Sequence, residues 1–555
     1  MRRPGPRLVE RRIGLLFAGF LLLFSITLAR AFWIQGVKGA TLASQATTQQ
    51  TELVMVPGLR GRVLDRHGHE LAVSEDAATV YATPYQVKHP RFTAERLAPL
   101  LDMDESDVLA ALTDDSGFSY VARRVDLQSA GRIERLELAG IGTLPDSRRT
   151  YPQGELAAQV IGAVGVDNQG LTGLEAGEDD VLGGDDGERR IVKDALGEPI
   201  RLETLSQASE GRDIQLTIDS AVQAETEQVL AGIGATYQPA GATAIVMNPR
   251  NSEILAMANW PPLDPDRLDI AEEDQLLNRA TGFTYEPGST FKAFTVAAAL
   301  EDKLVTPDTA FGLAPSIQVA DRVIEESHAR GPATLTVADI LAQSSNVGAV
   351  TIGLEIGATR YSRWVSRFGF GRPTGIGFPG EEKGIVPALE DYSGSTMGNL
   401  PLGQGLSVTP VQMMAAYAAI ANGGVLRRPR LVSAVDGEAV PEEPGHRVIS
   451  PLVAQRVSEM LEGVLAPGGT ASEVSVPGYT LAGKTGTAEK AVNGGYSETD
   501  FVASFMGFAP AEDPGLLVGV MVDEPRGDYY GGTVAAPAFG EIADFALPYL
   551  GVAPG

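Results

Sequence analysis

Ser289-Thr290-Phe291-Lys292 sets a hydroxyl and an amine one helical turn apart. Glu286-Pro287-Gly288 before it makes a turn, and the alanine-rich run over residues 293–300 makes a helix. Ser289 then lies at the helix N-terminus, with Lys292 on the same face. A serine hydroxyl is a poor nucleophile until a neighbouring base takes its proton, and a desolvated lysine can do so. Unpaired N–H groups and the positive end of the helix dipole would stabilise an oxyanion there. The chain has eight lysines and this is its only S-x-x-K. Taken alone, the pattern is also just a serine and a lysine at a common helical spacing.

Two further motifs carry possible chemistry. Ser344-Ser345-Asn346 puts a hydroxyl and an amide two residues apart, where they could relay a proton and hold a substrate amide; by itself it reads as a polar turn or a helix cap. Lys484-Thr485-Gly486-Thr487 reads as a strand in which Gly486 lets a substrate backbone approach closely. Lys484 would add positive charge, and Thr485 and Thr487 could bind a carboxylate. A strand end with a solvated lysine would look the same.

Composition narrows the alternatives. There is no cysteine, which removes disulfides, thiolate metal sites and a cysteine nucleophile. The five histidines include no H-x-x-x-H pair, so neither a histidine-rich metal site nor a routine Ser–His couple is expected. Lys plus Arg number 44 against 71 Asp plus Glu, a net charge of −27 that disfavours a nucleic-acid partner.

The elements that must position these motifs follow from the patterning. Arg2, Arg3, Arg7, Arg11 and Arg12 in a basic tail (1–12) precede an uncharged apolar run from Ile13 to Ala29. A helix over 13–34 has 22 residues, enough to cross about 30 Å of hydrocarbon. The arginines orient it with its N-terminus in the cytoplasm, which leaves the remainder extracytoplasmic. Ala29-Arg30-Ala31 also fits a signal-peptidase site, but 17 uncharged residues exceed a signal h-region of roughly 7–15. Residues 35–210 are mosaic and β-rich, with a helical stretch over 93–113 and an acidic, glycine-rich patch over 175–188 that reads as a solvated loop. From 211 to 550 the texture is mixed α/β with an antiparallel sheet. It includes a strand at 213–218, a helix capped by Asp219 and Ser220, and hairpins at 242–258 and 501–523. Alanine-rich helices follow at 291–302 and at 410–421, the latter capped by Thr409.

Together and in this order, the three motifs resemble the serine acyl-transferase set of penicillin-binding proteins and class A β-lactamases. Ser345 stands where those lactamases carry aspartate. The nearest approach to their deacylating glutamate motif, Asp274 to Asn278, lies before Ser289 rather than after it, so β-lactam hydrolysis is not expected. Arg60-Gly61-Arg62-Val63-Leu64-Asp65-Arg66, Tyr151-Pro152, the run Gly170 to Glu175, and Tyr285-Glu286-Pro287-Gly288 resemble class B penicillin-binding proteins. Phe368-Gly369-Phe370-Gly371, Gly403-Gln404-Gly405 and Tyr530-Gly531-Gly532 resemble their division-specific, FtsI-type branch, and elongation and sporulation relatives share many such segments. No E-D-x-x-F-x-x-H glycosyltransferase motif occurs.

The resemblance implies a penicillin-binding, β-lactamase-like transpeptidase domain behind a β-rich pedestal and one membrane anchor. It implies a peptidoglycan D,D-transpeptidase that cross-links stem peptides through Ser289 and is acylated by β-lactams. Lys292 would be the base, Ser344 the proton shuttle, Asn346 a holder of the donor amide, and Lys484 would help keep Lys292 neutral. Thr485, Gly486 and Thr487 would bind substrate, and the N–H groups of Ser289 and Thr487 would form the oxyanion hole. No metal or cofactor is needed. A SEDS-type glycosyltransferase and divisome membrane proteins are the partners implied. A non-catalytic penicillin sensor or scaffold, and a D,D-carboxypeptidase using water as acceptor, are the competing readings.

Overall fold

The computed structural model describes residues 6–39, 51–193, 199–492 and 495–554. Arg2 and Arg3 of the basic tail lie outside these residues. The first helix, α1, spans Pro6–Phe32 and continues as a π turn over Trp33–Val37. Its large apolar side chains from Ile13 onward are exposed, as are Trp33 and Ile34 in the π turn, and among the described residues it alone is long and apolar enough to cross a membrane.

The remainder divides into two units. The first takes residues up to Gly58, Asp76–Asp146 and Asp185–Ser209. Its core gathers Val80, Leu97, Val108, Leu112 and Ile133. The helix expected over 93–113 is two helices, Pro90–Leu101 and Glu105–Leu112. Asp102 between them takes a left-handed conformation (φ 53°) that caps the first, and Glu105 and Asp107 favour a new N-terminus. Thr51–Val56, Gly187–Lys193 and Pro199–Ser206 form a three-stranded antiparallel sheet.

The second unit takes Leu59–Glu75, Ser147–Gly184 and everything from Glu210 onward. Residues 59–75 and 147–184 therefore pack with those from Glu210 onward. The reason is shared burial: Val63, Leu71, Tyr151, Val160 and Leu174 sit in one cluster with Ile214, Ile218 and Ile254, and Val63–Leu64 runs parallel to Ile214–Gln215.

The acidic patch is not a solvated loop at its start. Glu175 is fully buried, with Arg60 Nη2 2.8 Å from one carboxylate oxygen and Arg149 Nη2 2.7 Å from the other. Asp179 takes the remaining arm of Arg60 at 2.6 Å, and Leu174 and Leu182 on either side are core residues. Composition shows the acids but not arginines placed 115 and 26 residues away.

The sheet that carries the Lys484 motif has five antiparallel strands. They are β1 (Gly241–Asn248), β2 (Glu253–Trp260), β3 (Ala482–Val492), β4 (Gly495–Ala509) and β5 (Leu516–Asp523), in the order β2-β1-β5-β4-β3. Helix α2 (Ser220–Tyr237) is capped by Asp219, which accepts from the Ala221 and Val222 amides. Helix α3 (Lys292–Glu301) is buried along nearly its whole length, which is why its sequence has no polar face. Phe291 and Phe294 at its start meet Phe368, Phe370 and Tyr417 at ring distances of 5.0–5.2 Å. This aromatic cluster fixes the start of that helix.

Candidate active site

Gly288–Phe291 forms one 3-10 turn that leads into α3, so Ser289 precedes the helix by a single turn. Tyr417, on α5 (Pro410–Ala421), donates to the Thr290 carbonyl at 2.6 Å and anchors that turn from below. Gly288 has φ +54°, a left-handed position open to glycine at little cost. A Cβ there would lie 3.2 Å from the Thr487 carbonyl oxygen, so the Ser289 turn and strand β3 approach closely.

Ser289, Ser344, Asn346, Thr485 and Thr487 line one open cavity. Lys292 and Lys484 lie beneath it, each fully buried. Lys292 Nζ donates to the Ser344 carbonyl at 2.7 Å and to Asn346 Oδ1 at 2.7 Å, with Ser344 Oγ at 3.3 Å. Ser344 adopts φ +59°, a strained conformation for a non-glycine residue. Helix α4 (Asn346–Ile356) starts immediately afterward, with Ser345 as N-cap.

Burial pushes the Lys292 ammonium down to about 7, with the Glu326 carboxylate opposing. Burial also drives Lys484 well below the ordinary lysine value, and repulsion from Lys292 adds to this. Desolvation rather than Lys484 is therefore what lowers Lys292, and two such amines do not both hold a proton. Lys484 is not presented to the cavity as a solvated charge; its Nζ donates to the Thr485 carbonyl at 3.1 Å.

Strand β3 is at the sheet edge, paired on one side through Thr485–Phe505, Gly486–Ser504 and Thr487–Ala503. Side chains alternate along it, so Thr485 and Thr487 share one face and Lys484 and Gly486 the other. Thr487 Oγ1 accepts from the Gly531 N–H at 3.0 Å, which leaves its own proton to donate, and Thr485 Oγ1 is 2.7 Å from Thr470 Oγ1. The need for glycine at 486 differs from the expected one. A Cβ there would meet Ser504 Oγ on β4 and lie 2.9 Å from Thr290 Cγ2, so the close approach is by the protein's own neighbouring strand and Ser289 turn.

Sequence reasoning missed Glu326. It follows the hairpin formed by Ser316–Val319 and Arg322–Glu325. One oxygen accepts from Ser345 Oγ at 2.6 Å, the other from the Asn346 N–H at 2.7 Å, and Arg330 lies 2.5 Å away. Burial raises this carboxyl, but the bonds from Ser345, Asn346 and Arg330 outweigh it and hold the group below its usual range. No spacing marks Glu326, because its partners come from a helix start 19 and 20 residues later.

Asp274 is not among the lining residues. It pairs with Arg279 at 2.8 Å.

Residues 242–544 match the penicillin binding protein transpeptidase domain, and residues 55–216 match the penicillin-binding protein dimerisation domain. The chain is 36% identical to stage V sporulation protein D of Bacillus subtilis, over 98% of this chain and 87% of that protein. It is 32% identical to the peptidoglycan D,D-transpeptidase FtsI of Escherichia coli K12, over 98% and 93%. Penicillin binding protein 3 of Mycobacterium tuberculosis, solved with aztreonam, superposes with a TM-score of 0.72 at 30% identity, over 90% of this chain and 98% of that one. The chain thus belongs to the class B penicillin-binding proteins, peptidoglycan D,D-transpeptidases that join a dimerisation domain to a transpeptidase domain.

Proposed function

We propose that this transpeptidase works through an acyl-enzyme on Ser289 and serves septal cell-wall synthesis. The observation that carries the reading is a fully buried Lys292 poised near neutrality, bonded to Ser344 and Asn346 and one turn from a cavity-lining Ser289. Neutral Lys292 accepts the Ser289 proton as Oγ attacks the carbonyl between the two terminal D-alanines of a donor stem peptide. Ser344 passes that proton to the departing D-alanine amine. The acceptor amine of a second stem then attacks the ester, gives up a proton to the same relay, and releases Ser289 as the cross-link forms. Asn346 holds the donor amide. Thr485 and Thr487 bind the terminal carboxylate, and the N–H groups of Ser289 and Thr487 face the oxyanion. A β-lactam enters the same sequence, but its opened ring stays attached and no leaving group departs.

The basic tail and α1 form the anchor, with the N-terminus cytoplasmic and the catalytic unit outside. A SEDS-type glycosyltransferase supplying nascent strands, and divisome membrane proteins, are the partners this role requires. A sporulation role is the second reading, favoured by the 36% identity to stage V sporulation protein D against 32% to FtsI.

Membranes carrying the protein, incubated with a fluorescent penicillin beside Ser289→Ala, test the chemistry. A stable labelled band lost in the variant is expected. A folded wild type that stays unlabelled sinks the acyl-enzyme reading and favours a scaffold.

A further inference from the structure

Glu286 stands three residues before Ser289, and its carboxylate has a partner set that the acyl-transfer scheme does not use. Segments 285–288 and 403–408 are laced together by backbone bonds. Tyr285 and Val408 exchange N–H to carbonyl bonds at 3.0 and 2.9 Å, and the Gly288 N–H donates to the Gly403 carbonyl at 3.1 Å. Within this ladder, Glu286 Oε1 accepts from the Gly405 N–H at 3.0 Å. From a third segment, the Tyr496 hydroxyl on β4 reaches the same oxygen at 3.4 Å. Tyr496 itself lines the catalytic cavity, as do Gly288 and Gln404.

The other oxygen, Oε2, is buried with no hydrogen-bond partner. Burial pushes the carboxyl above its usual range; the Gly405 and Tyr496 bonds and Arg322 oppose this, and Glu489 adds to it. An orphaned carboxylate oxygen is a cost to stability, and such costs persist where they serve function rather than folding.

We propose, resting on the acyl-enzyme reading above, that Glu286 is a positioning residue for Ser289. Its carboxylate fastens the nucleophile turn to the Gly403–Gly405 loop and to Tyr496, and so holds the hydroxyl in register with strand β3. It neither touches substrate nor moves a proton.

The test compares wild type, Glu286→Leu and Glu286→Gln for thermal melting and for the second-order rate of acylation by a fluorescent penicillin. Leucine keeps volume and removes both oxygens, including the orphan, so melting should hold or rise while acylation falls at least about tenfold. Glutamine keeps an acceptor oxygen for the Gly405 N–H and should acylate within about threefold of wild type. Opposite movement of stability and rate is a signature that a merely structural residue does not give. The proposal is overturned if Glu286→Leu acylates like wild type, if it fails to fold or loses rate in step with melting, or if Glu286→Gln is as slow as Glu286→Leu. A wild type that is never acylated instead overturns the acyl-enzyme reading, and the two failures are told apart in the same assay.

Discussion

Lys292 Nζ and Asn346 Oδ1 lie 2.7 Å apart, joining a helix that begins at Lys292 to one that begins 54 residues later. The bond fixes which way the amine points. With the Ser344 carbonyl also at 2.7 Å, two of the three hydrogens of a charged Lys292 already have acceptors. The amine therefore has a defined seat in which to gain or lose one proton.

That seat sets a pH dependence. Burial lowers Lys292 to about 7 from the ordinary lysine value of 10.5. In the proposed scheme the neutral amine is the base, so acylation should be lost as pH falls through about 7 and be fully present above it. Roughly 30-fold slower acylation is expected at pH 5.5 than on the plateau. Acylation rates between pH 5.5 and 9 check this; a flat profile excludes Lys292 as the titrating base. Lys292→Ala should lose at least about 10³ in rate while remaining folded.

Glu326 should matter without meeting substrate. It clamps both the Ser345 hydroxyl and the Asn346 amide N–H, so Glu326→Ala frees the start of α4 and leaves Arg330 without its carboxylate. A loss of about 2–3 kcal/mol in stability is expected. The Asn346–Lys292 contact should loosen with it, slowing acylation by about tenfold even where the variant is fully folded. Acylation per folded molecule at low temperature is the deciding measurement, and a wild-type rate there removes Glu326 from the positioning of Asn346.

Legibility in the sequence followed the range of the interactions. The S-x-x-K turn, the Asp219 and Thr409 caps and the two hairpins are set by residues within a few positions of each other, and all were readable. Ser344, Asn346 and Lys484 were readable only as a set, because each alone is an ordinary turn or strand residue. Glu326, the buried Glu175, and the packing of 59–75 and 147–184 against residues from Glu210 onward were not. Each depends on partners brought in by tertiary folding, and composition reports a buried, paired carboxylate and a solvated one identically.

Glu175 gives the sharpest contrast between structure and catalysis. Its contact with Arg149 is fully buried on both sides, and removing one member leaves an uncompensated charge. Glu175→Ala should destabilise the second unit by about 3–5 kcal/mol, read by denaturant unfolding. Acylation by the folded fraction should stay within about twofold of wild type, since neither arginine lines the cavity. A change below about 1 kcal/mol would mean that water takes over the role of the carboxylate.

The last test concerns the interval between strand β3 and the Ser289 turn. In Gly486→Ala the new methyl group would meet Ser504 Oγ at 2.4 Å, Thr290 Cγ2 at 2.9 Å and the Pro287 carbonyl oxygen at 3.0 Å. Ser504 belongs to the neighbouring strand, but Thr290 and Pro287 lie on either side of Ser289, so relief requires β3 to move away from Ser289. Overpacking of this kind costs about 1–3 kcal/mol. Its larger effect should be on rate, because Thr485 and Thr487 move with the strand and the oxyanion site widens. Acylation is expected to fall more than about tenfold. Adding Ser504→Ala removes the shortest contact and should restore part of that loss, whereas the same change in the wild-type background should leave the rate nearly unchanged. If Gly486→Ala acylates normally, the turn and the strand have slack between them, and the glycine serves the approach of substrate instead.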